Sequence, residues 1–138
     1  MVTVFGLHVI STWLLVALIW FIQVIVYPRF LPVSEAGFVA SHFAHCLRVG
    51  FIIVPLMGIE AISAAWLFYQ GHREIPFLIG VGLIVVIWLS TAVIQAPMHA
   101  KLMQGFDAGI IHRLIRTNWV RTFAWTARGV LVGYMIAN

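Results

Sequence analysis

From Val4 to Val26 the chain runs a full helix length without one Asp, Glu, Lys or Arg. About 20 apolar residues is what an α-helix needs to cross the hydrocarbon of a bilayer, so few folds accept such a run. Three further stretches repeat it with interruptions. Arg48–Tyr69 has Glu60 near its centre, Phe77–Gln95 has no charge, and Asn118–Ile136 has Arg121 and Arg128. Backbone polar groups in hydrocarbon must be satisfied within the protein, which leaves helices as the economical solution for segments of this length. The pattern predicts an all-α chain: a single four-helix transmembrane domain over residues 1–138, with short interfacial segments.

Composition excludes the soluble alternatives. Only 9% of the residues are charged and 63% are hydrophobic, whereas a soluble domain carries roughly 25% charged residues. The net charge of +4 is spread too thinly for a phosphate-tracking surface, so nucleic acid is not an expected partner and the lipid bilayer is. One cysteine, Cys46, rules out an intrachain disulfide. The N-terminus lacks a basic region ahead of its apolar run, which reads as a retained helix rather than a cleaved leader.

Between the long runs the sequence changes character. Tyr27-Pro28-Arg29 should end the first helix. Ser34 is a candidate N-cap for an interfacial segment, to about Leu47, that places Phe38, His42 and His45 on one face and then continues into the second helix. Pro55 should kink that helix. Pro97 should end the third, leaving Met98–Gly105 as a polar connection, and Asp107 is a candidate N-cap for the fourth. The two hairpins look alike: Trp20, Gln23 and Pro28 answer to Trp88, Gln95 and Pro97, and Gly37-Phe38 to Gly105-Phe106, which suggests a parallel repeat. One end of the bundle holds Arg29, Lys101, Arg113 and Arg116, with Arg48 at its border; the other holds only Arg73. The positive-inside rule places this basic end in the cytoplasm and both termini outside a bacterial inner membrane.

Ionisable side chains inside a membrane cost about 2.5–3.5 kcal/mol each on insertion scales, so each needs a partner or a task. Asn118, Arg121, Trp125 and Arg128 fall on one face of the fourth helix. Counting inward from the basic end puts Glu60 and Arg128 at matching depths, which predicts an ion pair. It would serve as a structural lock or as a proton or substrate site.

Nearer the basic end, His42, His45, Arg48, Gln95, His99, Asn118 and Arg121, with Gln23 and Tyr27, gather at one level. They suit a polar or anionic head group. Three histidines, His42, His45 and His99, would suit zinc or copper, and two of them a haem, although no metal motif is present. Plain interfacial packing is the remaining reading. His8 lies toward the opposite end and reads as unrelated; His72 and His112 read as solvated. No nucleophile elbow, phosphate loop or catalytic carboxylate pair occurs.

Ile94-Gln95-Ala96-Pro97-Met98-His99-Ala100-Lys101-Leu102, followed by Thr117-Asn118-Trp119-Val120-Arg121-Thr122, resembles the anthrone-oxygenase-like family of small four-helix membrane proteins. Asn118-Trp119 stands in the reverse of that family's more frequent order. Tyr27-Pro28-Arg29-Phe30 and the Asn118–Arg128 pattern are similar to bacterial members. The resemblance implies cofactor-independent oxidation of a polycyclic aromatic. Two function classes follow. One is a membrane-embedded binding protein or oxidoreductase for a lipophilic aromatic or quinone-like molecule. The other is a non-catalytic accessory subunit of a larger membrane complex or homo-oligomer. A transporter fits less well, since four helices leave little room for alternating access.

Overall fold

A computed structural model describes residues 3–138. The chain forms four antiparallel rods and, among the described residues, no strand. The first rod is α1 (Val4–Phe21), continued by a π turn (Ile22–Val26) and a 3-10 turn (Pro28–Phe30). The second is α2 (Glu35–Tyr69). The third joins α3 (Ile75–Ser90) through a π turn (Thr91–Gln95) to α4 (Ala96–Leu102). The fourth is α5 (Ala108–Ala137).

Local chemistry explains the ends. The Thr3 hydroxyl accepts from the Gly6 amide at 3.0 Å to cap α1, and Asp107 Oδ1 accepts from the Ile110 amide at 2.9 Å to cap α5. Ser34 holds the N-cap position of α2 in extended backbone without a side-chain bond. Gly71, with φ of 101°, turns the chain after α2 in a region that other residues enter only with strain.

The segment Ser34–Leu47 continues into the second helix, the two forming one unbroken α2 with Pro55 inside it. One expectation changes. Pro97 does not stop the third rod: it sits in the first turn of α4, where a missing N–H costs little, directly after the π turn. The first rod has the same device, since both π turns are followed by one residue and then a proline, Tyr27-Pro28 and Ala96-Pro97. The Tyr27 amide bonds back to the Ile22 carbonyl and the Ala96 amide to that of Thr91, five residues earlier in each case. The resemblance between the hairpins thus lies in this wide turn rather than in glutamine spacing.

Three rods, Val4–Phe30, Glu35–Tyr69 and Ile75–Leu102, are long and apolar enough to cross a membrane. The fourth has 30 residues, about 45 Å at the helical rise. Its polar residues Asn118, Arg121, Thr122 and Arg128 are buried, while Val120, Phe123 and Val130 face outward. Large apolar side chains cover the outside elsewhere too, Phe51, Ile62 and Val93 among them. A surface of this kind is stable against lipid and not against water. The chain is a helical membrane protein.

The packing is uneven. α1 lies along both α2 and α5, and α3 lies along α5. Leu15, Ile19, Ile111, Leu114 and Trp125 fill the seam and are fully buried. α2 and α3 face each other with little mutual contact and approach mainly where α2 meets α4. The bundle is therefore split on one side.

Candidate functional site

Two polar clusters lie inside the bundle at different depths. The deeper is centred on Glu60 of α2 and Arg128 of α5, both 1% exposed. Arg128 Nε donates to Glu60 Oε1 at 2.9 Å. The Thr12 hydroxyl donates to the same oxygen at 2.9 Å, and Trp125 Nε1 donates to Glu60 Oε2 at 3.2 Å. The other guanidinium nitrogens are also engaged. Nη1 donates to the Gly80 carbonyl, and Nη2 donates to Thr12 Oγ1 at 3.2 Å and to His8 Nε2 at 3.4 Å. Because a guanidinium only donates, His8 Nε2 must accept and Nδ1 carries the proton. Nδ1 then donates to Ser63 Oγ at 3.0 Å, whose own hydrogen goes to the Glu60 carbonyl at 3.0 Å.

His8, unrelated by its place in the sequence, is therefore part of the ion-pair network. The reason is geometric: α1 crosses between α2 and α5, so one turn of it delivers His8 and Thr12 to the charges. Every rod contributes, with Gly80 giving a backbone carbonyl from α3.

The shallower cluster lies toward the basic end, against the split between α2 and the third rod. A cavity of about 500 Å³ opens there, lined by Ile53, Val54 and Met57 of α2, Ile22 of the first rod, and Ala100 and Met103 of the third rod. Its polar lining is Tyr27, His45, Cys46, Thr91, Gln95, His99 and Arg121. The two π turns shape it, since Ile22, Thr91 and Gln95 belong to them. A π turn inserts a residue and re-aims the side chains beyond it, and such turns are frequent at functional sites. Here Tyr27 and His99, which come after the two turns, meet with the phenol oxygen 3.2 Å from His99 Nε2.

Arg121 stands at the cavity wall and is 5% exposed. Its Nε has no partner, and among the described residues no carboxylate pairs with it. The guanidinium lies beside Tyr27, with its carbon 5.3 Å from the Trp125 ring centre, a distance at which the aromatic face offers partial compensation. Gln95, 1% exposed, accepts from Ser90 at 2.9 Å through Oε1 but leaves Nε2 free.

Not every residue expected at this level reaches the cavity. Arg48 is on the exposed face of α2; the cavity face carries Cys46, Val49, Gly50 and Ile53, and two residues from Cys46 is more than half a turn away. Asn118 is fully buried behind the wall, where Nδ2 donates to Gln23 Oε1 at 2.8 Å and ties α5 to the first rod. Gln23 completes that clamp by donating to the Ile115 carbonyl at 3.0 Å.

The histidines do converge, with one difference. His42 Nε2 and His99 Nδ1 are 3.2 Å apart, and the third atom of the group is Cys46 Sγ, 3.5 Å and 3.7 Å from them. His45 lies outside this triangle, with its ring edge-on to Phe30 at 4.9 Å between centres. Sequence reasoning misses Cys46, because a lone cysteine is weighed there only as a disulfide partner; its spacing of four residues from His42 on a helix is the signal that could have found it. His72 lies 3.6 Å from Glu74 in the polar link, and His112 is exposed. No family model, no curated protein and no solved structure matches this chain.

Proposed function

We propose that this protein is a membrane-embedded binding protein for a lipophilic molecule with an oxygen-bearing head, admitted from the bilayer through the split between α2 and the third rod. One observation carries the reading: a buried guanidinium without a counter-ion, Arg121, at the wall of a mainly apolar cavity. A buried donor left unsatisfied costs about 1–3 kcal/mol, and more when charged. A carbonyl, phenolate or carboxylate oxygen would complete Arg121 and take the free hydrogens of Gln95 Nε2, while the ligand's body lies along Ile53, Val54 and Met57. Quinone-like and polyketide-like aromatics have this form, and the resemblance to the anthrone-oxygenase-like family points to the same class. An accessory-subunit role would also use the split, as a seat for a partner's apolar helix, but such a helix would leave the guanidinium unanswered. The basic end then faces the cytoplasm of an inner membrane, with Asn138 on the far side.

Binding is tested on the detergent-purified chain with a short-chain quinone and a fatty acid as probes, followed through tryptophan fluorescence. Saturable binding of a probe by the native chain, reduced about tenfold or more in Arg121→Gln, is expected, since a hydrogen bond to a charged group contributes about 1.5–3 kcal/mol. Equal affinity in the native and Arg121→Gln chains would overturn the reading. The orientation is checked separately with a reporter fused after Asn138; activity confined to the cytoplasm would reverse it.

A further inference from the structure

We infer that His42, Cys46 and His99 form a binding site for a soft d¹⁰ metal ion, cuprous copper or zinc. The two α2 ligands are four residues apart and so share a face, and His99 is brought to them from α4. Tetrahedral coordination with metal–nitrogen bonds of about 2.0 Å and a metal–sulfur bond of about 2.3 Å puts ligand nitrogens ~3.3 Å apart and nitrogen ~3.5 Å from sulfur. The triangle here measures 3.2 Å between nitrogens and 3.5 Å and 3.7 Å from nitrogen to sulfur. The side chains thus stand close to where three corners of a tetrahedron would hold them.

The surroundings match as well. Ligating histidines commonly use their second nitrogen to bond a neighbouring polar group, which fixes the ring. His99 Nε2 does this with the Tyr27 hydroxyl at 3.2 Å. Cys46 and His99 line the cavity, which leaves the fourth corner on its side. Among the described residues no carboxylate joins the group, and a thiolate with two imidazoles selects soft ions over magnesium or calcium. Charge ranks the two candidates. A thiolate neutralises cuprous copper completely but leaves zinc with a net positive charge, and Arg121 already places a cation at the same cavity.

All three ligands to the ion come from the chain itself, so the test leaves the lipophilic compound out. The chain is purified in detergent, stripped with a chelator, and titrated with cuprous ion under anaerobic reducing conditions, or with zinc, against a chromophoric chelator. Alkylation of Cys46, the sole cysteine, is timed in parallel. Stoichiometric binding that protects Cys46 from maleimide is expected, with tighter retention of copper. Cys46→Ser and His99→Ala should abolish binding, Tyr27→Phe should weaken it about tenfold through the lost support of His99, and His112→Ala should leave it unchanged. Circular dichroism verifies that each variant is folded, and the near-isosteric serine variant keeps the test decisive if the alanine variant is not. The proposal is overturned if the native chain retains neither ion, if Cys46→Ser binds as the native chain does, or if His45→Ala abolishes binding while Cys46→Ser does not.

Discussion

The two polar clusters draw on the same residue types, yet they treat their hydrogen bonds in opposite ways. Around Glu60 and Arg128 every donor is directed at an acceptor from another rod or from the same network. Among the described residues, the buried side-chain polar atoms that lack a partner are His42 Nδ1, Gln95 Nε2, Asn118 Oδ1 and Arg121 Nε. All lie toward the basic end. A membrane interior penalises each such atom, because no bulk water is available to replace the missing partner. A closed network explains itself as architecture. An open one, at the wall of a cavity, is where a ligand would recover the missing interactions.

The two clusters should differ most in what a substitution costs at the ion pair. Glu60→Gln alone, or Arg128→Met alone, strands one charge and should cost about 3–5 kcal/mol. The double variant leaves no unpaired charge and should recover much of that loss. Unfolding from detergent micelles by a graded denaturant measures all three. If the double variant is as damaged as the singles, the network is more than a lock. If it is stable but no longer binds the quinone or fatty-acid probe, the pair belongs to the binding machinery.

A smaller effect is expected at Thr12. Its hydroxyl donates to Glu60 and accepts from Arg128, at 2.9 Å and 3.2 Å. Thr12→Val keeps the shape and removes both bonds. Hydrogen bonds to charged groups contribute about 1.5–3 kcal/mol, so a loss in that range is the expected outcome. The same denaturation series reads it. A change no larger than that of a half-buried threonine away from the charges, Thr117→Val, would mean that water or a neighbour already shares the load.

These residues also separate what the sequence makes legible from what it does not. Glu60 and Arg128 stand out because charges are rare in such a chain and depth can be counted along a helix. Their neutral partners cannot be found that way. α1 is apolar on nearly every side, so its pattern does not set which face turns inward, and the place of His8 and Thr12 becomes clear only once α1 is seated between α2 and α5. The split between α2 and α3 is a tertiary property with no local signature. Pro97 misleads for a related reason: a proline reads as a stop, while the π turn that accommodates it has no residue pattern of its own. Arg48 shows the converse, since a charge at the right level still misses the cavity when its helical phase is wrong. The gathering of His42, His99 and Arg121 is readable from level alone, because every rod reaches the basic end with polar residues.

The smallest expected change in stability is the most informative, and it lies at Arg121. If the open cluster were architectural, removing its cation would damage the fold as removing Arg128 should. The geometry argues otherwise. Among the described residues Arg121 has no carboxylate to strand, its Nε is without a partner, and the cavity it borders is mainly apolar. Exchanging even a buried ion pair for well-packed apolar side chains is often neutral or stabilising by about 1–4 kcal/mol, and an unpaired charge leaves no partner stranded. The lost contact to the Trp125 face subtracts about 0.5–2 kcal/mol from any gain. Arg121→Leu should therefore lose at most about 2 kcal/mol, well short of the loss at Arg128. The measurement is the same denaturant midpoint, with Arg128→Leu alongside as the damaging counterpart on the same face of α5. A loss at Arg121 equal to that at Arg128 would erase the distinction between the clusters. Arg121 would then be structural, with a partner that closes its hydrogen bonds in the membrane.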